Sequence, residues 1–272
     1  MKTARLVEMF VYPVKSCRGI ARESARVDAT GLAGDRHWML VRPNGRFVTQ
    51  RELPRMALIG TTLDESGLTL VAPGHAPLRI APDAGHVARA VTVWKFSGSG
   101  IDCGDEAAAW VSAYLETPLR LVRFDPAQPR VCPAEWTQGT TAVTEFADGY
   151  PMLVISRASL ADLNSRLPNA LPMERFRPNL VVDGVDAYDE ERIHELRAGD
   201  LAIRFVKPCT RCSITTTDQQ RGEVDGVEPL ATLKTYRHDR ELKGVTFGHN
   251  VIPASGVGST LRVGQAFEID WK

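Results

Sequence analysis

Short segments typical of β-strands dominate the chain, and they do not alternate regularly with helical segments. They are rich in β-branched or aromatic residues and are bounded by Gly, Pro and Asp, as expected for strands joined by turns. Many strands with few helices predict an α+β protein that is predominantly β and built on a barrel or a sandwich. The predicted strands cover residues 5–14, 38–42, 68–72, 90–94, 119–124, 180–183, 201–206 and 261–269.

Three segments have the pattern of a helix. Residues 105–115 place apolar side chains on one stripe and two acids in the first turn, which favours the positive end of the helix dipole. Residues 156–167 start at Ser156, a residue able to cap a helix, and residues 228–237 have a proline near their start. Residues 62–69 predict a hairpin in which a glycine adopts positive φ.

A change of composition marks a candidate domain boundary. The stretch Asp125-Pro126-Ala127-Gln128-Pro129 resembles a linker. We therefore predict two domains, residues 1–124 and residues 125–272.

Charge and hydropathy exclude several classes of protein. The 272 residues contain 33 basic and 33 acidic side chains, so no global positive field attracts a nucleic acid polymer or anionic lipid. No run of eighteen apolar residues is present, and Glu8 interrupts the apolar N-terminal segment, so neither a membrane span nor a secretory signal is expected. We predict a cytoplasmic, monomeric protein whose 5 cysteines are reduced. Any anion that it binds must be held by a local cluster of donors.

The segment KPCTRCSITTTD, residues 207–218, contains a Cys-x-x-Cys pair, Cys209 and Cys212. A structural zinc site normally has four N or S ligands, and the 6 histidines and the remaining cysteines lack the spacing to complete one. A thioredoxin-like pair is expected where a strand leads into a helix, but the β-branched residues after Cys212 make a poor helix start. Lys207 and Arg211 favour a thiolate, because neighbouring cations lower the pKa of a thiol. Spacing alone leaves dithiol chemistry and unreactive packing cysteines open.

Residues 206–237 resemble the signature of the MOSC family, the domain found in molybdenum cofactor sulfurases and the mitochondrial amidoxime-reducing component. Other motifs of the family follow in order along the chain and cover nearly all of it. They are YPVKSC (12–17), GDRHWMLV (34–41), DCGD (102–105), FADGYP (146–151) and FRPN (176–179). The resemblance implies a MOSC β-barrel packed with an N-terminal mixed α/β MOSC-associated domain.

The resemblance also implies a cofactor, Mo-molybdopterin, and a metal ligand. Cys212 matches the family position whose thiolate binds molybdenum, and a single soft ligand suffices because the pterin supplies two further sulfurs. Cys212 is therefore the predicted metal ligand and catalytic residue. Cys209 is then expected to be a buried neighbour of that ligand.

Further positions match family residues that contact the cofactor, whose phosphate requires local positive charge and hydrogen-bond donors. The loop of residues 147–150 is also expected to line the site. Taken singly, a loop arginine is an ordinary surface residue and Ser16 could merely cap a turn. The predicted cofactor-binding residues are Lys15, Ser16, Arg36, Arg177, Asn179, Thr210 and Arg211.

The implied reaction is two-electron reduction of small N-hydroxylated compounds such as amidoximes, hydroxylamines and N-hydroxylated nucleobases. The sequence lacks the cysteine run of an iron-sulfur domain, so electrons are expected from a separate protein of the ferredoxin or flavin reductase type. Tyr188, Asp189 and Glu190 are candidate proton donors, although a solvated acidic loop would have the same sequence.

Two alternatives remain. The protein could carry molybdenum cofactor, or sulfur as a persulfide on Cys212, without turning over a substrate. It could instead bind pyridoxal phosphate, which requires a lysine that forms a Schiff base. Lys15 and Lys207 are the lysines within the implicated motifs, and neither lies in a recognisable pyridoxal motif.

Overall fold

The computed structural model describes residues 2–272 and confirms a predominantly β fold, with 43% of residues in strands and 16% in helices. The strands up to residue 124 are β1 (Thr3–Val11), β2 (Ile20–Ala21), β3 (Ser24–Asp28), β4 (Gly31–Leu32), β5 (Trp38–Val41), β6 (Gly60–Asp64), β7 (Gly67–Ala72), β8 (His75–Ile80), β9 (Val87–Val93), β10 (Phe96–Asp102) and β11 (Arg120–Phe124). The later strands are β12 (Arg130–Val131), β13 (Val143–Thr144), β14 (Met152–Ser156), β15 (Leu180–Asp183), β16 (Ile193–Ala198), β17 (Leu201–Thr210), β18 (Thr217–Asp218), β19 (Glu223–Val224), β20 (His238–Asp239), β21 (Gly244–Ser255), β22 (Thr260–Arg262) and β23 (Ala266–Trp271). The α-helices are α1 (Asp105–Leu115), α2 (Arg157–Arg166) and α3 (Leu230–Tyr236), and short 3-10 helices cover Pro54–Leu58, Met173–Phe176, Asp189–Glu191 and Ser213–Thr216.

Seven strands close into a β-barrel. They follow the order β14, β15, β1, β23, β16, β17 and β21, and β21 pairs with β14 again. A closed barrel leaves no exposed strand edge, and its alternating side chains fill one core. Burial of a large aliphatic or aromatic side chain stabilises the fold by about 1.5–3 kcal/mol. Fully buried members of this core include Leu6, Val182, Leu196, Ile203 and Phe267.

The first strand pairs with the last strand, so the two ends of the chain lie side by side in the barrel. β1 pairs antiparallel with β15 on one side and with β23 on the other, so Thr3 lies opposite Glu268 in the last strand. The predicted boundary between residues 124 and 125 remains a prediction, and strand pairing crosses it. Just beyond β1, the chain leaves the barrel as the segment that carries Lys15 and Ser16.

The other large sheet has four strands in the order β5, β11, β10, β9. Helix α1 packs against β11, and side chains from both, including Val111, Tyr114 and Leu121, belong to a second core. The predicted hairpin is confirmed as β6 and β7. Gly67 in it has φ 117°, and a Cβ there would lie 2.1 Å from the carbonyl oxygen of Ile80, so a larger residue cannot fit.

The helices follow the predicted pattern with small differences at their ends. α1 has the predicted bounds, and α2 starts after Ser156, whose hydroxyl accepts a hydrogen bond from the backbone N–H of Ser159 at 3.0 Å. The predicted strand 261–269 is wrong in one respect. It is divided into β22 and β23 by a turn at Gly264, where φ is 89°. Within residues 2–272, no helix is both long and apolar enough to cross a membrane.

Candidate functional site

One pocket, here called the junction pocket, brings together all of the predicted cofactor-binding residues and the predicted metal ligand. Its volume is about 130 Å³, and six stretches of chain that are separated in sequence form its walls. The predicted residues that line it are Lys15, Ser16, Arg36, Arg177, Asn179, Thr210, Arg211 and Cys212. Their proximity is a property of the structure, whereas their roles remain predictions.

We name two sides of the junction pocket. The basic wall consists of Lys15, Ser16, Arg36, Arg177 and Asn179, which lie in the connections after β1 and β4 and before β15. The thiol wall consists of Cys209, Thr210, Arg211 and Cys212, at the end of β17 and the start of the 3-10 helix Ser213–Thr216. The loop of residues 147–150 also lines the pocket, as predicted.

Several residues of the basic wall have unusual backbone conformations. Ser16, Arg36 and Arg177 lie in the left-handed region, with φ of 65°, 50° and 55°. This region is sparsely populated by residues other than glycine, and such strain persists only where the surrounding structure enforces it. The surrounding fold therefore holds these three residues in place at a cost in local backbone energy.

Lys15 is fixed by the loop that lines the pocket. Only 5% of the residue is exposed, and its Nζ donates to the carbonyl oxygen of Phe146 at 2.7 Å and to Oδ1 of Asp148 at 2.5 Å. Burial lowers the pKa of Lys15, and the neighbouring Asp148 carboxylate opposes that effect. Lys15 therefore presents a partly neutralised positive charge to the pocket.

Asp148 is the carboxylate of the junction pocket. Desolvation raises the pKa of its carboxyl, but the charge and hydrogen bond of Lys15 and the N–H of Trp94 outweigh it, so the pKa lies below the usual range. Arg130 holds the backbone of this loop by donating to the carbonyl oxygens of Glu145 at 2.9 Å and Asp148 at 2.6 Å. The sequence predicted that this loop lines the site but did not predict its individual contacts. The donors that bind the Asp148 carboxylate are brought to it only by the tertiary fold.

Two arginines of the basic wall enclose an aromatic ring. The guanidinium carbons of Arg36 and Arg177 each lie 4.3 Å from the centroid of the Tyr12 ring. Arg36 also donates to Asp35 and, at 2.9 Å, to Oδ1 of Asn179. Burial lowers the pKa of Arg177 to about 10. Its Nη2 is buried and has no hydrogen-bond partner among residues 2–272, so it can donate to an anionic ligand.

The polar atoms of Asn179 have partners within the protein. The residue is 1% exposed, its Oδ1 accepts from Arg36 and from the backbone N–H of Leu153 at 3.2 Å, and its Nδ2 donates to the carbonyl oxygen of Phe10 at 3.2 Å. Asn179 therefore ties β1, β14 and the segment before β15 together beside the pocket. A ligand would meet an amide whose orientation is already set.

The two cysteines of the thiol wall differ in their surroundings. Nη1 of Arg211 donates to Sγ of Cys209 at 3.0 Å, and Nη2 of Arg211 donates to the carbonyl oxygen of Phe176 at 2.6 Å. Cys212 is exposed, and its carbonyl oxygen accepts from the backbone N–H of Thr215 at 3.1 Å, which starts the short 3-10 helix. The prediction that Cys209 is a buried neighbour is wrong. It is only partly buried and lines the pocket, because β17 ends at Thr210.

The candidate proton donors Tyr188, Asp189 and Glu190 do not line the junction pocket. Asp189 and Glu190 are also not a solvated loop, since they are 5% and 1% exposed. Glu190 accepts from the backbone N–H of Ser156 at 2.6 Å and from the hydroxyl of Ser159 at 2.8 Å, and its burial raises the pKa of its carboxyl. Both sequence-based interpretations of these two acids are therefore wrong, because Glu190 holds the start of α2 and Asp189 accepts from the backbone N–H of Asp186 at 3.1 Å.

Asn250 is a further lining residue that the sequence did not assign to the site, whereas Tyr150 belongs to the loop that was expected to line it. Tyr150 is 6% exposed, burial raises the pKa of its phenol, and its hydroxyl has no partner within the described part of the chain. The amide of Asn250 donates to the carbonyl oxygen of Lys207 at 3.2 Å. No spacing pattern marks Asn250, which lies within β21 and reaches the pocket only through the tertiary fold.

The pocket fits a ligand that supplies most of a metal's donors itself. Within residues 2–272, no group of three or more His, Cys, Asp or Glu side chains could hold a metal ion alone. An exposed thiol, Cys212, lies in the same pocket as the buried, unpartnered guanidinium nitrogens Arg177 Nη2 and Arg211 Nε. A thiolate suits a soft metal, and the arginines suit a phosphate. Mo-molybdopterin combines these two requirements.

Comparison with protein families identifies the class. The MOSC N-terminal beta barrel domain matches residues 3–118, and the MOSC domain matches residues 141–268. Together these two matches cover most of the chain, so the protein contains the two domains that its motifs predicted.

Comparison with individual proteins identifies a branch of MOSC-domain proteins to which the chain is similar. The chain is 38% identical over 242 residues to mitochondrial amidoxime reducing component 2 of Rattus norvegicus, covering 85% of this chain and 71% of the relative. It is 37% identical over 253 residues to mitochondrial amidoxime-reducing component 1 of Homo sapiens, covering 88% and 75%. The chain therefore belongs to the family of MOSC-domain proteins that includes the amidoxime-reducing components.

Proposed function

We propose that the protein is a molybdenum-cofactor-dependent reductase of small N-hydroxylated compounds. The observation that carries this proposal is the junction pocket, in which an exposed thiol faces a preformed basic wall. The relatives named as amidoxime-reducing components support the reaction type. Amidoximes, hydroxylamines and N-hydroxylated nucleobases are the proposed substrates.

The residues of the two walls would bind different parts of the cofactor. Cys212 would bind the molybdenum through its thiolate. Lys15, Arg36 and Arg177 would balance the charge of the pterin phosphate, with Ser16, Asn179, Thr210 and Arg211 as further contacts. When bound, the cofactor supplies the two-electron chemistry and the dithiolene sulfurs, while the protein orients it.

Reduction of an N–O bond to release water also requires protons, and the candidate donors Tyr188, Asp189 and Glu190 do not line the junction pocket. Asp148 is the carboxylate of the pocket, and its Oδ1 accepts a hydrogen bond from Nζ of Lys15. Because its pKa lies below the usual range, Asp148 is ionised and would hold the Lys15 ammonium in place instead of supplying a proton.

Electrons would come from a separate redox protein of the ferredoxin or flavin reductase type. The donor would approach the open side of the junction pocket, where Cys212 and Thr210 are exposed. Electron transfer to a protein-bound cofactor requires such access.

The alternative of a cofactor or sulfur carrier is favoured by one observation. Cys212 is exposed, so a partner protein could reach its thiol. Pyridoxal phosphate binding has no comparable support, since Lys15 is engaged by Asp148 and the ammonium of Lys207 lies 5.1 Å from the centroid of the Trp136 ring. Neither lysine is an unengaged amine.

Metal analysis and an activity assay test the proposal together. Protein produced in a host that makes molybdenum cofactor should contain about one molybdenum per chain and should reduce benzamidoxime with an artificial electron donor. Metal-free protein from that host would contradict the proposal. Molybdenum with no turnover of any N-hydroxylated substrate would instead favour the carrier.

A further inference from the structure

A second cavity lies where the segment after β1 meets the 3-10 helix Met173–Phe176 and the turn between β18 and β19. Its volume is about 210 Å³, which exceeds the roughly 150 Å³ that holds a benzene ring. It shares only one lining residue, Arg177, with the junction pocket. Its lining includes Phe10, Tyr12, Arg18, Ala21, Glu174 and Arg177.

Two arginines of the second cavity each have a buried guanidinium nitrogen without a hydrogen-bond partner among residues 2–272. These atoms are Nε of Arg18 and Nη2 of Arg177. Arg177 is 9% exposed, and burial lowers its pKa to about 10, so the group is still charged at neutral pH. A buried donor that has lost water and gained no acceptor destabilises the protein. An anion in the second cavity would supply the acceptors that these two nitrogens lack.

Aromatic side chains give the second cavity a flat apolar surface. Phe10 and Tyr12 line it, and the hydroxyl of Tyr12 is already engaged, because it donates to the carbonyl oxygen of Pro178 at 3.0 Å. A Cβ at Gly19 would lie 2.5 Å from Cε1 of Tyr12, so only glycine leaves the ring in this position. The cavity therefore offers a planar ligand a face on which to pack.

The charges of the lining limit the charge of the ligand. Glu174 also lines the second cavity and is exposed, so its carboxylate opposes the two arginines from the solvent side. Two guanidinium groups and one carboxylate leave a single net positive charge. A monocarboxylate balances this charge, whereas a phosphate dianion would exceed it.

We propose that the second cavity is a binding site for small aromatic monocarboxylates, of which benzoate is the simplest. The carboxylate would accept from Nε of Arg18 and Nη2 of Arg177, because guanidinium groups match a carboxylate in charge and geometry. The ring of the ligand would pack against Phe10 and Tyr12. This site is independent of the proposed reductase chemistry.

Fluorine NMR of para-fluorobenzoate titrated with the full chain measures binding directly. The wild type should bind it saturably with a Kd below about 1 mM, and Arg18→Gln should weaken binding by about tenfold. The matched control is Arg22→Gln. Arg22 is also half-buried and donates to a backbone carbonyl oxygen, that of Leu63 at 3.2 Å, but it does not line the cavity. This control should change Kd by less than about twofold, and equal effects of the two substitutions would contradict the proposal.

A pair of variants at an exposed lining position tests the charge of the ligand without removing an arginine. Ala21 lines the second cavity and is exposed, so either replacement should leave the fold intact. Ala21→Glu should weaken para-fluorobenzoate binding by about threefold, and Ala21→Lys should strengthen it by a similar factor. Identical Kd values for the two variants would show that the ligand does not occupy this cavity.

Competition against para-fluorobenzoate tests the chemistry of the ligand. Benzyl alcohol lacks the charge and acetate lacks the ring, so each should compete at least about tenfold less well than benzoate. Inorganic phosphate that competes as well as benzoate would refute the aromatic monocarboxylate and leave a general anion site.

A substitution in the junction pocket tests the location. Arg211 lines that pocket and not the second cavity, so Arg211→Gln should leave the Kd of para-fluorobenzoate unchanged. Weaker binding in Arg211→Gln, together with unaltered binding in Arg18→Gln, would place the ligand in the junction pocket and overturn the proposal.

Discussion

The two walls of the junction pocket differ in how deeply their side chains are buried and in how far these side chains are bonded to other parts of the protein. On the basic wall, Lys15 and Asn179 are buried and their polar atoms bind other parts of the chain. On the thiol wall, Thr210 and Cys212 are exposed. The basic wall is therefore built into the fold, whereas the thiol wall is left open to a ligand or a partner. Substitutions on the first should affect stability, and substitutions on the second should affect chemistry.

The largest expected effect comes from the thiol wall. Cys212→Ala should lower benzamidoxime reduction by more than about 100-fold and remove the bound molybdenum, because it deletes the proposed metal ligand. It should change the free energy of unfolding by less than about 0.5 kcal/mol, since the side chain is exposed. Activity assays, metal analysis and urea denaturation measure these three quantities.

Cys209→Ala is the matched control within the same motif. Cys209 contacts Arg211 but is not the proposed ligand, so the variant should retain molybdenum and lose less than about tenfold in activity. A reversal of the two results would assign the metal to Cys209.

The next effect concerns the carboxylate beside the basic wall. Asp148→Asn should lower kcat by about tenfold with molybdenum retained, because the buried Lys15 ammonium loses its charged partner in the pocket. Glu174→Gln is the control, because Glu174 is an exposed carboxylate that lines a neighbouring cavity instead. Comparable losses in the two variants would show that Asp148 has no special role.

Two asparagines that line the pocket test how far the basic wall is built into the fold. Asn179→Ala should lower the free energy of unfolding by about 2–3 kcal/mol, because it leaves several buried hydrogen-bonding groups unpaired. Asn250→Ala, at a lining position outside both walls, removes one hydrogen bond to the carbonyl oxygen of Lys207 and should cost less than about 1 kcal/mol. Equal costs, measured by urea denaturation, would show that the basic wall contributes no more to stability than the rest of the pocket lining.

A histidine of the barrel provides a reference outside both walls. His249 is 1% exposed, neither ring nitrogen has a partner within residues 2–272, and burial lowers its pKa to about 3. Below the ordinary histidine pKa the unfolded chain binds a proton that the folded chain does not, so stability falls as the pH decreases towards 3. The contribution of His249 should be about 1.4 kcal/mol per pH unit in this range.

The measurement is urea denaturation at several pH values between 6.5 and 4. His249→Leu should reduce the pH dependence by this amount, while His238→Asn, which changes an exposed histidine, should leave it unaltered. If the slope is the same in all three proteins, His249 does not control acid stability.

Much of the fold follows from local patterns in the sequence. The apolar stripe and acidic first turn of residues 105–115 define α1, and the glycine at position 67 defines a hairpin. Closure of the barrel is different, because the pairing of β1 with β23 joins residues at opposite ends of the chain. No local pattern contains that information.

The functional site could likewise be predicted only in part from local sequence patterns. Spacing alone left Cys209 and Cys212 ambiguous, and the ordered motifs were required to assemble the remaining lining residues. The acids Asp189 and Glu190 resembled a solvated loop, yet Glu190 is buried against Ser156 and Ser159. Asp148 acquired its partners only when the fold placed Lys15 and Trp94 beside it. Burial and partner choice depend on tertiary packing, which local composition does not encode.

The pairing of the first strand with the last also sets an order of events during synthesis. β1 cannot complete its pairing until residues 266–271, which form β23, have left the ribosome. The segment that carries Lys15 and Ser16 follows β1 directly, so the basic wall acquires its final support only after that point. A ligand that requires both walls and the closed barrel therefore binds only after β23 has emerged and paired with β1.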